Sequence, residues 1–277
     1  MLTNPRSDRV RSVRRLSGRS ARQRAGRFLA EGPGAVREAL PAGVVRELYV
    51  TESAAARHPD VLRAAEQAGV PPRWCHEDVL AAMADTLTPQ GFLAVCEPVG
   101  VPLQTLAGRR PRLVAVLSRV RDPGNAGTVV RTADAADADG VVLTDESVDV
   151  LSPKAVRATA GSLFHLDVVT AVPLARAVES LRAAGCRVLA ADGAGEHDLD
   201  DLLDGADARS GWLAGPVAWV FGNEAWGLPD DDKALVDAVV RVPIHGRAES
   251  LNLATAAAVC LYASARAQRR GAPQAGS

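Results

Sequence analysis

Lysine is almost missing from this sequence. Only Lys154 and Lys233 occur among 32 basic residues in a chain of 277, and the rest are arginines. Cysteine is sparse as well: Cys75, Cys96, Cys186 and Cys260 are scattered, with no CxxC pair. Such spacing suggests neither a disulfide framework nor a zinc site, and no other metal site is expected; it suits a reducing cytoplasm. Aromatic residues make up 4%, so extensive base stacking is not expected. The longest apolar or small stretch, roughly Ala254 to Ala265, is shorter than the ~20 residues of a membrane span. No charged-then-apolar signal peptide opens the chain, and no membrane partner is expected. With 47% hydrophobic and 23% charged residues, the composition is that of a globular protein of one large or two modest domains.

The net charge of −1 hides an uneven distribution. Residues 1–27 hold nine arginines (among them Arg11, Arg14, Arg15, Arg19, Arg22 and Arg24) against one acid, Asp8. Arginine suits bidentate phosphate contact and stacking on bases. A basic arm on an acidic body is one reading, with those six arginines as candidate nucleic-acid contacts. A solvated tail and an Arg-rich transit peptide are the others.

Two domains are expected, both α/β. In residues 28–99, strands at Arg27–Ala30, Val44–Val50 and Gly91–Cys96 alternate with helices at Asp60–Ala68 and Glu77–Ala84. Prolines and glycines mark 100–111 as a linker. Residues 112–270 carry strands at Leu113–Leu117, Val141–Leu143, Leu166–Val169, Val188–Ala191, Val217–Phe221 and Val239–Val242. Helices are expected at Ala126–Asp137, Pro153–Ala160, Pro173–Ala184, Pro229–Ala238 and Ser250–Ala267. Apolar strands alternating with helices predict a parallel sheet covered on both faces, with ligands beyond the strands' carboxyl ends. The tail, 271–277, is expected to fray.

Three loops carry unusual chemistry. After Leu113–Leu117 comes Asp122-Pro-Gly-Asn-Ala-Gly, with Asn125 read as a helix cap and Arg131 further along the helix. After Val217–Phe221 comes Gly222-Asn-Glu-Ala-Trp-Gly, two glycines framing Glu224. It is neither a dinucleotide fingerprint nor a P-loop, and the acids 230–232 behind it would repel phosphate. After Val239–Val242 comes Pro-Ile-His-Gly-Arg-Ala-Glu-Ser-Leu-Asn-Leu, with Ser250 as helix cap and Asn252 in the first turn. His245 reads as an ordinary loop histidine. A capped helix, a tight turn and simple capping remain the plainer readings of each loop alone.

Together, N-x-G-x-x-x-R, F-G-N-E-x-x-G and V-P-I…E-S-L-N-L, in this order, resemble the three motifs of the SpoU (TrmH-like) RNA 2′-O-ribose methyltransferases. The layout is most similar to bacterial ribosomal-RNA members, and Arg27-Phe-Leu-Ala-Glu-Gly32 resembles the start of their substrate-binding domain. The resemblance implies a trefoil knot near the C-terminus, an N-terminal domain like the ribosomal-protein L30e fold, and usually a homodimer. It implies S-adenosylmethionine bound by Gly222, Val242 and Leu251, with Thr144 a looser candidate. Asn125, Arg131, Glu224, Ser250 and Asn252 would surround the ribose. Transfer-RNA methylation and an RNA-binding module without catalysis are the alternatives. A nicotinamide dehydrogenase would need a glycine fingerprint after its first strand, and none is present.

Overall fold

The computed structural model describes residues 1–204 and 211–271. The segment expected to fray, 271–277, lies outside them except for Gly271. The chain forms two compact units. Unit 1 contains Met1–Val99 together with Asp149–His165; unit 2 contains Gly100–Val148 and the chain from Leu166 onward.

Unit 1 runs α1 (Asp8–Arg15), α2 (Arg19–Ala25), β1 (Phe28–Glu31), α3 (Pro33–Ala39), β2 (Val45–Val50), α4 (Glu52–Arg57), α5 (Pro59–Gln67), β3 (Pro72–Trp74), α6 (Glu77–Met83) and β4 (Phe92–Cys96). The sheet order is β1-β4-β2-β3, with β2 and β3 parallel and β4 antiparallel to both of its neighbours.

The expected basic arm is folded. Ser7 caps α1 by accepting the Val10 N–H, and Val10, Val13 and Leu16 are buried with Val79, Leu80 and Met83 of α6. Three apolar residues at i, i+3 and i+6 make one helical face, which the arginines around them obscure in the sequence. Arg22 is not a surface cation: it is 5% exposed. It donates through Nε and Nη2 to Asp149 Oδ2 at 3.1 and 2.6 Å, and through Nη1 to the Leu16 and Ser17 carbonyls.

Unit 2 opens with α7 (Leu103–Gly108), β5 (Leu113–Leu117), α8 (Pro123–Ala135) and β6 (Gly140–Thr144). The chain then returns to unit 1, where α9 (Pro153–Thr159) lies on β1. Arg157 of α9 reaches Glu31 at 3.2 Å and Asp85 at 3.1 Å. Unit 2 resumes with β7 (Asp167–Val172), α10 (Leu174–Ala183), β8 (Arg187–Ala191), β9 (His197–Asp198), α11 (Leu199–Asp204), β10 (Val217–Phe221), α12 (Asp230–Lys233), β11 (Ala238–Arg241) and α13 (Leu253–Gly271). Its sheet has the order β7-β6-β5-β10-β8-β11-β9, and every pairing is parallel. This is the expected α/β class with a parallel sheet.

The expected helix from Pro229 to Ala238 is one turn, α12; the chain beyond it serves β11 instead. On one face of the sheet, Val114, Val116, Ala218 and Val220 are buried with Leu106 of α7 and Leu181 of α10. Against β5 and β10 also lies α13, fastened by Trp219 Nε1, which donates to Ser264 Oγ at 2.8 Å inside the core. Gln268 Nε2 donates to the Arg112 and Gly215 carbonyls. This covers most of the apolar helix within the chain, leaving Val259 and Tyr262 exposed. All four cysteines are free and buried, and burial pushes Cys96 and Cys260 up to about 12. Among the described residues no helix is long and apolar enough to cross a membrane, and no cluster of ligands could hold a metal.

Removing Arg22 orphans two carbonyls and most of a carboxylate. We expect Arg22→Ala to lower unfolding free energy by about 3 kcal/mol, near the low end for a broken buried pair. Arg11→Ala, which loses only an exposed contact to Asp8, should leave stability nearly unchanged. Urea unfolding of both variants measures the difference.

Candidate active site

The pairing of β5 with β10 sets Leu117 beside Phe221, and Ser118 N donates to the Phe221 carbonyl at 2.8 Å. Two of the three candidate loops therefore leave the sheet side by side. At the first, Asp122 caps α8: its carboxylate accepts the Asn125 N–H at 2.8 Å, and Pro123 occupies the first helical position. Asn125 is thus not the cap expected from the sequence. The Asp-Pro step provides both the cap and the preset backbone angle, which moves the helix start three residues earlier. This leaves the Asn125 side chain free for other partners.

Those partners come from the other two loops. Asn125 Nδ2 donates to Glu224 Oε1 at 3.1 Å, and Asn125 Oδ1 accepts from Asn252 Nδ2 at 3.1 Å. Glu224 also accepts the backbone N–H groups of Arg121 and Asp122 at 3.3 and 3.2 Å. A carboxylate against the amides that open α8 is favoured by the helix dipole. Asn252 Oδ1 in turn accepts the N–H groups of Ala254 and Thr255, so it takes the capping role assigned to Ser250. The helix begins only at Leu253, which leaves Ser250 in the exposed loop before it.

Beside this trio lies an open cavity of about 500 Å³, within the ~300–1,000 Å³ range of small-molecule sites. Gly222, Val242 and Leu251 line it, as do Glu224, Ser250 and Asn252. Thr144 does not. It is buried, accepts the Arg119 N–H at 3.1 Å, and lies 3.2 Å from Ser147 Oγ. The reason is topological: β6 lies outside the β10, β8 and β11 group whose carboxyl ends shape the cavity.

Arg131 stands apart from the trio. It is exposed and makes no hydrogen bond or ion pair with the described residues. Six helical residues place it about 9 Å along the axis and roughly a third of a turn off Asn125's face. In unit 1, Arg11, Arg14, Arg15, Arg19 and Arg24 are exposed; Arg14 donates to the Ala84 carbonyl.

A second set of contacts was not legible in the sequence. Asn223 is buried and its Nδ2 donates to the Arg119 carbonyl at 2.7 Å. Arg119, at a left-handed φ of 55°, reaches Asp232 at 2.9 Å, and Ser118 Oγ donates to the same carboxylate. Asp232, read in the sequence as part of a phosphate-repelling surface run, is buried and neutralised by Arg119. Nothing in the local sequence sets it apart from the two acids beside it.

A model of the SpoU rRNA methylase family matches residues 112–262, and a model of the MRM3-like substrate binding domain matches residues 7–94. The chain belongs to the SpoU rRNA methylase family. It is 35% identical to the 23S rRNA (guanosine(2553)-2′-O)-methyltransferase RlmP of Bacillus subtilis, over 94% of this chain and 97% of that relative. It is 32% identical to the 23S rRNA (uridine(2479)-2′-O)-methyltransferase of Streptomyces viridochromogenes, over 92% and 88%. Among solved structures it resembles the AdoMet-bound rRNA methyltransferase of Sinorhizobium meliloti, with a TM-score of 0.81 and 32% identity over 96% and 97% of the two chains.

SpoU methyltransferases use S-adenosylmethionine, and the cavity suits it. Its walls combine apolar Phe221, Val242 and Leu253 with three glycines, Gly193, Gly222 and Gly227, which add no side-chain bulk. Gly222 is irreplaceable on steric grounds. A Cβ there would lie 2.4 and 2.5 Å from the Gly227 carbonyl carbon and oxygen. Backbone cannot give way as a side chain can. We therefore expect Gly222→Ala to destabilise the protein by roughly 1–3 kcal/mol, as overpacking does, in urea unfolding. S-adenosylmethionine binding, measured by calorimetry, should fall with it.

Proposed function

We propose that this protein transfers the methyl group of S-adenosylmethionine to a ribose 2′-hydroxyl of ribosomal RNA. The observation that carries this reading is the hydrogen-bonded trio Asn125, Glu224 and Asn252, drawn from three loops, two of whose members, Glu224 and Asn252, line one cavity. The matched family and the two 2′-O-methyltransferase relatives supply the reaction class.

The cofactor provides an electrophilic methyl on a sulfonium leaving group. The protein's part is then alignment, and correct orientation alone can supply ~7–11 kcal/mol. Asn125 and Asn252 orient the ribose. Breaking the O–H bond as the O–C bond forms releases one proton, and Glu224 is the group in the trio that can accept it. A guanidinium is a hydrogen-bond donor without an acceptor, so Arg131 is not the proton acceptor. Its exposed guanidinium, unengaged within the described chain, grips the phosphate next to the target ribose. Ser250 completes the polar ring.

Unit 1 belongs to the same proposal as the RNA-capturing domain, of the ribosomal-protein L30e type, with Arg11, Arg15, Arg19 and Arg24 toward phosphates. The trefoil knot of the family lies in the C-terminal part of unit 2. Its support is the close crossing where Gly195 lies against the backbone of Val240 and Arg241, leaving no room for a Cβ. A homodimer is supported by the exposed Val259 and Tyr262 on α13; a monomer at micromolar concentration in light scattering would overturn it. A bacterial-type cytoplasm is the expected compartment.

The test is transfer of labelled methyl to unmodified ribosomal RNA and, in parallel, to transfer RNA, with nuclease mapping to sugar or base. Ribose label in ribosomal RNA is expected. Label in transfer RNA alone replaces the substrate, and label on a base refutes the reaction. Glu224→Gln should reduce turnover by ~10²–10⁴-fold, the range for a positioned base. Near-normal turnover by Arg131→Ala with RNA binding intact would remove Arg131 from the mechanism.

A further inference from the structure

Trp226 is out of place for an indole: it is 57% exposed, whereas Trp219 is fully buried. It lines the candidate cavity together with Ile244, itself 38% exposed.

Its backbone is held firmly. Asn223 and Gly227 exchange N–H···O bonds, both 2.9 Å, which closes a tight loop with Glu224, Ala225 and Trp226 as its tip. Asn223 Oδ1 accepts the Ala225 N–H, and its Nδ2 is tied to Arg119. Gly227 takes the left-handed φ of 67° that the turn requires. The tip thus presents two side chains from a fixed frame. One, Glu224, is bound into the catalytic trio. The other, Trp226, has no ring partner among the described residues and faces solvent.

We propose that the Trp226 indole is the platform on which the base of the target nucleotide stacks. This rests on the ribose-methyltransferase reading. A ribose whose 2′-hydroxyl meets the trio carries its base one glycosidic bond away, at the same three-residue tip. A ribose that enters this cavity from an unpaired loop brings a base without the neighbours that would cover it in a helix. An indole at the entrance replaces them. The cavity's buried walls, Phe221, Gly222 and Leu253, are left for the cofactor. The arrangement also fits an aromatic-poor chain: one platform at the reacting nucleotide, not a stacking surface. Because every base has a π-face, the ring favours an unpaired, unstacked nucleotide without reading its identity.

The test uses the full-length protein with transcribed 23S ribosomal RNA at saturating S-adenosylmethionine. Trp226→Ala should lower kcat/KM for RNA by about tenfold or more, the scale of one lost base–aromatic stack, and Trp226→Phe should restore most of it. Calorimetric affinity for S-adenosylmethionine without RNA should be unchanged in both. Weaker cofactor binding by Trp226→Ala would assign the ring to the cofactor and overturn the proposal. Unchanged kcat/KM in Trp226→Ala would overturn it too. Wild-type protein that labels no ribose would refute the underlying function as well, and that result is read before any variant is compared.

Discussion

Strands β5 and β10 are far apart in sequence and adjacent in the sheet, in register from Leu113 with Val217 to Leu117 with Phe221. A parallel pair ends both strands at the same edge, so the loops that follow must emerge together. That constraint lets Glu224 reach the amides of Arg121 and Asp122 and lets Asn223 hold the Arg119 carbonyl. Once the two loops are tied, the start of α8 is positioned, and with it Asn125. The third loop joins through a single side-chain bond, Asn252 to Asn125. The site is a consequence of strand pairing first and of its own hydrogen bonds second.

The arginines serve structure as well as surface charge. Arg22 is spent in the interior of unit 1 on Asp149 and two carbonyls, Arg157 joins Glu31 to Asp85, and Arg119 neutralises Asp232. A planar fork with several donors can satisfy a carboxylate and a carbonyl at once, which an ammonium does less well. Two of these pairs, Arg22 with Asp149 and Arg157 with Glu31, bind residues 149–165 into unit 1 although they lie between strands of unit 2. The sequence shows that segment only as one more turn in a β–α alternation.

Much of the fold was legible because unit 2 is regular. Leu113–Leu117 and Val217–Phe221 were found to the residue, since a strand buried on both faces reads as an unbroken apolar run between turns. Unit 1 was harder. Helix α1 and its C-cap hide three inward apolar residues, Val10, Val13 and Leu16, among charges, and β3 is three residues long. At the site, residue types and order pointed to Asn125, Glu224 and Asn252, and the structure brings these three together. Ser250 and Asn125 were misread as caps because both Asp122-Pro and Asn252 compete for that role with better geometry. Thr144 was misplaced because sequence order does not show which strands neighbour one another.

The sequence by itself determined the α/β class, the strands of the parallel sheet and the chemical inventory of the three loops, because periodicity, turn residues and side-chain chemistry are local properties. Tertiary structure alone decided the strand order, the burial of Arg22 and Asp232, and the half-exposed Trp226 at the cavity mouth. Each of these depends on which distant segments become neighbours. That is settled by the burial of shared apolar faces and by pairing across the sheet, which no single stretch of chain encodes.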